Sequence, residues 1–102
     1  MKEYELYVPA TYNDGSLVAD EDLDEIAEAL LEEFGGYTFF PQWNEGRWRM
    51  GDAVFHDKIV IYRVLAKDAK QARRFFRKLK ERPKVSLEQE EILIVEKNAD
   101  AL

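Results

Sequence analysis

The clearest hydrophobic pattern in the chain lies between residues 20 and 34, where apolar residues recur at the spacing of one helix face. These residues are Leu23, Ile26, Ala27, Leu30, Leu31 and Phe34. Asp20 or Asp22 is expected to cap this helix, and Gly35 to end it. A second helix is predicted over roughly residues 68–82, with Asp68 as its N-cap.

Around these helices the pattern changes to a period of two or to β-branched runs, which indicates strands. Such segments lie near residues 2–8, 37–43, 47–55, 57–66 and 90–96. Turns are predicted at residues 44–46 and 56–58. The order is strand, helix, hairpin or three-stranded meander, helix, strand. It predicts an α+β fold of the ferredoxin-like, split βαβ type, with an antiparallel sheet and both helices on one face.

In the strands predicted after residue 56, both alternating sets of side chains, which we call the two phases of a strand, are apolar. The sheet face away from the helices should therefore also carry apolar side chains. In either phase five such side chains remain for that face, for example Ile59, Ile61, Leu65, Leu93 and Val95. Burial of one of them is worth roughly 1.5–3 kcal/mol. A homodimer packed sheet to sheet would cover this face, and another protein is the alternative partner.

Composition narrows the functional classes. The chain has 102 residues, a formal net charge of −6 and no cysteine. The length predicts a single domain over residues 1–102, with residues 97–102 expected to fray. The acidic balance disfavours nucleic-acid binding, and the absence of thiols removes thiolate metal sites. No apolar run is long enough to span a bilayer, and a cytoplasmic location is expected.

The strongest candidate binding residues flank residues 44–46. They are Trp43, Arg47, Trp48 and Arg49, with Arg63 as a further candidate. Two arginines on one strand face suit a carboxylate or phosphate, and an indole suits an apolar ligand. A simpler interpretation places Trp48 in the core and pairs both arginines with Glu45 and Asp52.

Arg63 and the single histidine complete the candidates. Arg63 is expected at the rim of the sheet interface or opposite Asp52. His56 is the natural general base if the protein is an enzyme, although a histidine in a turn is usually a solvated surface residue. No metal site and no cofactor are predicted. Asp20, Asp22 and Asp24 resemble the start of a calcium loop, but the glycine and the glutamate that such a loop requires are missing.

Residues 34–64, FGGYTFFPQWNEGRWRMGDAVFHDKIVIYRV, resemble a pattern in small uncharacterised bacterial proteins. Its elements are FGG, a threonine, a proline, G-x-W, a glycine, an aspartate at a turn and an apolar strand. The resemblance implies a bacterial or phage setting and an α+β fold, and it implies no catalytic residues. The leading hypothesis is a non-catalytic binding or interaction module. Alternatives are a cofactor-free enzyme or small-anion binder of the dimeric ferredoxin-like type, and, less strongly, an RNA binder.

Overall fold

The computed structural model describes residues 1–11, 16–82 and 92–102. In chain order the elements are β1 (Lys2–Pro9), α1 (Asp20–Phe34), β2 (Thr38–Met50), β3 (Ala53–Ala66), α2 (Ala69–Glu81) and β4 (Leu93–Asn98). The strands form one antiparallel sheet in the order β2-β3-β1-β4. The predicted ferredoxin-like α+β fold is therefore confirmed.

The hydrophobic core lies between the helices and one face of the sheet. Tyr62 of β3 is 1% exposed and Leu6 of β1 is fully buried, and both belong to a cluster that includes side chains of both helices. The helix residues of that cluster are Ile26, Ala27, Leu30, Ala72, Phe76 and Leu79. The strand phase that carries Val60 and Val64 thus faces the helices, and the opposite phase forms what we call the outer face.

Helix α1 has the predicted span, but its predicted caps are only half right. Gly35 ends the helix in a left-handed conformation with φ 78°, and its N–H donates to the Leu31 carbonyl at 2.9 Å. The N-cap is Ala19, without a side-chain hydrogen bond, so the expected capping by Asp20 or Asp22 is wrong. These aspartates lie inside the first turn, where their charges favour the helix dipole instead.

Helix α2 begins after Asp68, as predicted, and the Asp68 side chain accepts a hydrogen bond from the Gln71 N–H at 3.1 Å. We expect Asp68→Ala to lower the free energy of unfolding by about 1 kcal/mol, because this helical N–H would lose its partner. Urea unfolding followed by circular dichroism measures the change. Asp68→Asn keeps the acceptor and should retain most of the stability; an equal loss in both variants would contradict capping as the cause.

The middle of the chain forms one long hairpin, so the meander alternative is wrong. Residues 44–46 and 56–58, predicted as turns, lie in β2 and β3 and pair with each other and with neighbouring strand residues. The actual turn is Gly51-Asp52, between the paired residues Met50 and Ala53. Gly51 has φ 62°, the positive angle that a glycine-first two-residue hairpin turn requires.

Strand β4 extends further than expected. Lys97 and Asn98 were predicted to fray, but both pair with β1, opposite Glu3 and Lys2. Beyond the strand, the Ala99 N–H donates to the Met1 carbonyl at 3.1 Å. None of the helices in the described part of the chain is long and apolar enough to cross a membrane.

Candidate functional site

The β2–β3 hairpin continues past the end of β1, and its two faces differ in chemistry. β1 ends at Pro9, opposite Ile59, whereas β2 and β3 remain paired as far as Met50 and Ala53. Because side chains alternate along a strand, the register assigns each residue of this distal segment to one face. The first set, which continues the outer face, is Gly46, Trp48, Met50, Ala53, Phe55 and Asp57. The second set is Glu45, Arg47, Arg49, Val54, His56 and Lys58.

The first set extends an apolar surface that begins on the sheet. Trp48 is 40% exposed, Phe55 45% and Leu93 45%. Together with Tyr7, Pro9 and Ile59, these three side chains line a cavity of about 570 Å³. Asp57 and Lys80 are the charged residues of its lining. We call the surface formed by Trp48, Phe55 and Leu93, together with the cavity that they line, the apolar patch. Its size and lining are typical of a recognition surface.

Gly46 allows the Trp48 indole to lie across β2. A Cβ atom at position 46 would lie 2.9 Å from Nε1 of Trp48, closer than side-chain packing permits. The glycine and the tryptophan are two residues apart and therefore share a strand face. This geometry gives the G-x-W element of the sequence pattern a physical role. It also shows that Trp48 is a surface residue, so its expected place in the core is wrong.

The second set forms a basic face on the other side of the hairpin. Arg47 lies opposite His56, and Lys58 opposite Glu45. The Lys58 ammonium lies 4.7 Å from the centre of the Trp43 ring, a cation–π contact. Within the described residues no ion pair joins Arg47 or Arg49 to Glu45 or Asp52, so the simpler interpretation of the two arginines is also wrong.

His56 and Arg63 do not belong to one site. His56 lies within β3 on the basic face and not in a turn. Arg63 also lies on β3, but on the outer face of the sheet, opposite Glu5. Its Nη2 atom lies 3.0 Å from Oε1 of Glu5 and its Nε 3.5 Å from Oε1 of Glu3, so the expected pairing with Asp52 is wrong.

Glu5 is the centre of a charged network that the sequence did not reveal. It is 6% exposed, and its carboxylate accepts hydrogen bonds from Tyr7 at 2.8 Å, Arg63 at 3.0 Å and Lys97 at 3.1 Å. The Tyr7 hydroxyl, followed by Lys97, lowers the pKa of Glu5 to about 2. The same contact raises the pKa of Tyr7. In the sequence, Glu3 and Glu5 occupy the polar positions of an alternating strand, which are usually solvated. Arg63 and Lys97 reach them only because β3 and β4 pair with β1 on either side.

The outer face therefore has two halves of different character. In the half built around Glu5, carboxylates are neutralised by cations of neighbouring strands, and one polar atom, Nε of Arg63, is buried without a hydrogen bond. The other half is the apolar patch.

The apolar side chains expected on the outer face lie there. The five that occupy the outward positions of β3 and β4, as the alternation predicted, are Ile59, Ile61, Leu65, Leu93 and Val95. Among the described residues, no cluster of three or more His, Cys, Asp or Glu side chains is placed to hold a metal ion.

Comparison with known proteins identifies the fold. No protein-family model and no curated protein sequence matches the chain. Among solved structures, the divalent cation tolerance protein CutA1 from Thermus thermophilus aligns over 100% of this chain and 88% of its own, with 20% identity and a TM-score of 0.65.

Two further CutA1 structures agree with the first. A variant from Pyrococcus horikoshii aligns over 100% of this chain and 86% of its own, with 13% identity and a TM-score of 0.66. The divalent ion tolerance protein CutA1 from Ehrlichia chaffeensis aligns over 99% and 83%, with 12% identity and a TM-score of 0.63. The α+β fold implied by the sequence resemblance is confirmed, and the chain shares the ferredoxin-like fold of CutA1.

Proposed function

We propose that the protein is a non-catalytic, cytoplasmic binding module that self-associates through the apolar patch. One observation carries the proposal: Trp48, Phe55 and Leu93 are 40–45% exposed around a single cavity. Covering such side chains is worth roughly 1.5–3 kcal/mol each. Since this surface belongs to the sheet and its hairpin, a second copy is its simplest cover, and a homodimer is the smallest closed assembly.

The cavity lining favours an interaction surface over a catalytic centre. A pocket lined by Trp48, Tyr62 and the arginines would have supported an enzyme, but Tyr62 is buried in the core, Arg47 and Arg49 lie on the basic face, and Arg63 is not part of the cavity lining. His56 is also absent from this lining. Of the groups usually used for acid–base chemistry, only Tyr7, Asp57 and Lys80 occur among the described lining residues.

The names of the structural neighbours suggest a link to divalent cations, which is a second candidate function. The sequence offers little to hold a soft metal, with one histidine and no cysteine in the whole chain. The observations on the apolar patch therefore support self-association, with a role in cation tolerance resting on fold likeness alone. The bacterial setting rests on the sequence resemblance.

Light scattering coupled to size exclusion tests the proposal. The wild type should have more than the monomer mass at high micromolar concentration. Phe55→Glu combined with Leu93→Glu should give a folded monomer, because both side chains are about half exposed in one chain and two buried charges would oppose association. Leu31→Glu is the matched control, since Leu31 is 45% exposed on α1, and it should keep the wild-type mass.

Two outcomes contradict self-association through the apolar patch. A wild type that is monomeric at high micromolar concentration would remove the second copy as its cover. A double variant that unfolds would be uninformative by mass alone, so circular dichroism accompanies each measurement, and the single variants Phe55→Gln and Leu93→Gln are measured as well. If the folded variants retain the wild-type mass, the assembly uses another surface.

A further inference from the structure

The basic face of the hairpin is a second surface of unusual composition. It carries the basic residues Arg47, Arg49, His56 and Lys58, with Glu45 as the acid on the same face. Directly opposed residues of an antiparallel pair lie roughly 5 Å apart, and neighbours on one strand face are roughly 7 Å apart. All four basic side chains are exposed. Arg47, Arg49 and His56 are immediate neighbours on this face and can together contact a ligand only a few ångströms across, whereas Lys58 lies one pair further along the hairpin.

The arginines of this face differ from those that pair within the fold. Arg63 is bound by Glu3 and Glu5, and Arg73 by Glu96 at 2.7 Å. In the described part of the chain, neither Arg47 nor Arg49 makes a hydrogen bond or ion pair through its guanidinium. Adjacent like charges repel. A chain with 21 acidic residues and 15 lysines and arginines nevertheless keeps these two arginines side by side with no ion-paired acid among the described residues.

We propose that the basic face binds a small, multiply charged phosphate anion, with inorganic diphosphate as its simplest representative. The planar guanidinium of arginine matches phosphate oxygens in a two-pronged hydrogen bond, and two such groups suit an anion with several oxygens. Lys58 lies at the edge of the site against the Trp43 ring, 4.7 Å from its centre. Trp43 is 52% exposed and is therefore able to contact a bound ligand.

The charge of the whole chain favours a small anion over a nucleic acid. The net charge of −6 would repel a long polyanion outside the basic face, because nucleic-acid affinity grows with the number of phosphates that are neutralised. A diphosphate occupies only the basic face itself. This face also lies on the opposite side of the hairpin from Trp48 and Phe55. The site therefore stays accessible if the apolar patch is covered, and it does not depend on self-association.

Isothermal titration calorimetry of the full chain with sodium diphosphate at low ionic strength tests the proposal. We expect saturable binding with a Kd of about 1 mM or tighter. Arg47→Gln combined with Arg49→Gln should raise the Kd at least ~10-fold, since each charge-assisted hydrogen bond is stronger than a neutral one. Lys58→Gln should give a smaller increase, as expected for a residue at the edge of the site.

Arg74→Gln combined with Arg77→Gln is the matched control, because it removes the same charge from exposed positions of α2 and should leave the Kd unchanged within about twofold. The proposal is overturned if diphosphate does not bind saturably at about 10 mM, or if the two double variants lose affinity equally. Citrate and a short single-stranded oligonucleotide are tested in parallel. If citrate binds more tightly than diphosphate, the ligand class is carboxylates and not phosphates. If the oligonucleotide binds more tightly, the ligand is a nucleic acid.

Discussion

Alanine at Tyr62 is expected to lower the free energy of unfolding by about 4 kcal/mol, within the range for removal of a buried aromatic ring. Tyr62 is 1% exposed, and its ring stacks on Phe39 of β2 with centroids 4.6 Å apart. Its hydroxyl donates to the Leu23 carbonyl of α1 at 3.1 Å. The Tyr62 side chain thus joins the central strand β3 to the edge strand β2 and to helix α1.

Urea unfolding at one fixed protein concentration measures this loss, since self-association would make stability concentration-dependent. Tyr62→Phe separates packing from hydrogen bonding. It should cost about 1 kcal/mol, because only the bond to the Leu23 carbonyl is lost. Burial raises the pKa of Tyr62, so the hydroxyl remains a donor across the accessible pH range. If phenylalanine is as costly as alanine, ring packing is not the main contribution.

The elements that the sequence predicted best are those with a strong local period. Helix α1 has apolar residues at helical spacing along its whole length and a glycine at its end, and it spans Asp20–Phe34 as expected. Its N-terminus was harder to predict, because several consecutive acids offer equivalent caps while the backbone begins the helix after Ala19. Local periodicity fixes the presence of a helix better than its first residue.

The hairpin shows why local turn signals were insufficient. Asn44-Glu45-Gly46, His56-Asp57-Lys58 and Gly51-Asp52 all have turn-forming composition, and only the last forms the turn. The choice is made by the ladder between β2 and β3, which pairs residues far apart in sequence. Once the turn lies at Gly51, the residues at 44–46 and 56–58 are held in extended conformation by their cross-strand partners.

The candidate binding residues were predicted as neighbours but not as a complete site. Strand alternation correctly placed Arg47 and Arg49 on one face and Trp48 on the other. The partners across the ladder, His56 and Phe55, depend on the register, which the turn position sets. The network around Glu5 was missed for a similar reason. Its cations come from β3 and β4, on either side of β1, and no local pattern encodes that order.

The largest electrostatic effect is expected from Glu5→Gln. The variant keeps an oxygen that can accept the Tyr7 hydrogen bond, but it leaves Arg63 and Lys97 without their buried counter-charge. Breaking a fully buried pair costs about 3–5 kcal/mol. The Arg63 and Lys97 side chains are 41% and 49% exposed and can be rehydrated, so we expect a loss of about 2 kcal/mol at neutral pH. Glu45→Gln, with the same charge change on the basic face, should cost about 0–0.5 kcal/mol.

The decrease of the free energy of unfolding at acid pH, which we call the acid limb, gives an independent measurement of the interactions of Glu5. The pKa of Glu5 is about 2 in the fold against 4.5 for an unperturbed glutamate. Its stabilising contribution is therefore complete above about pH 4.5 and is lost as the pH falls from there toward 2. Glu96, whose pKa Arg73 also lowers to about 2, has the same dependence. Wild-type stability should fall steeply over this interval, and that of Glu5→Gln less steeply, because only the Glu96 contribution remains. Parallel acid limbs would show that Glu5 has the same pKa in the folded and unfolded chains and that the network does not stabilise the fold.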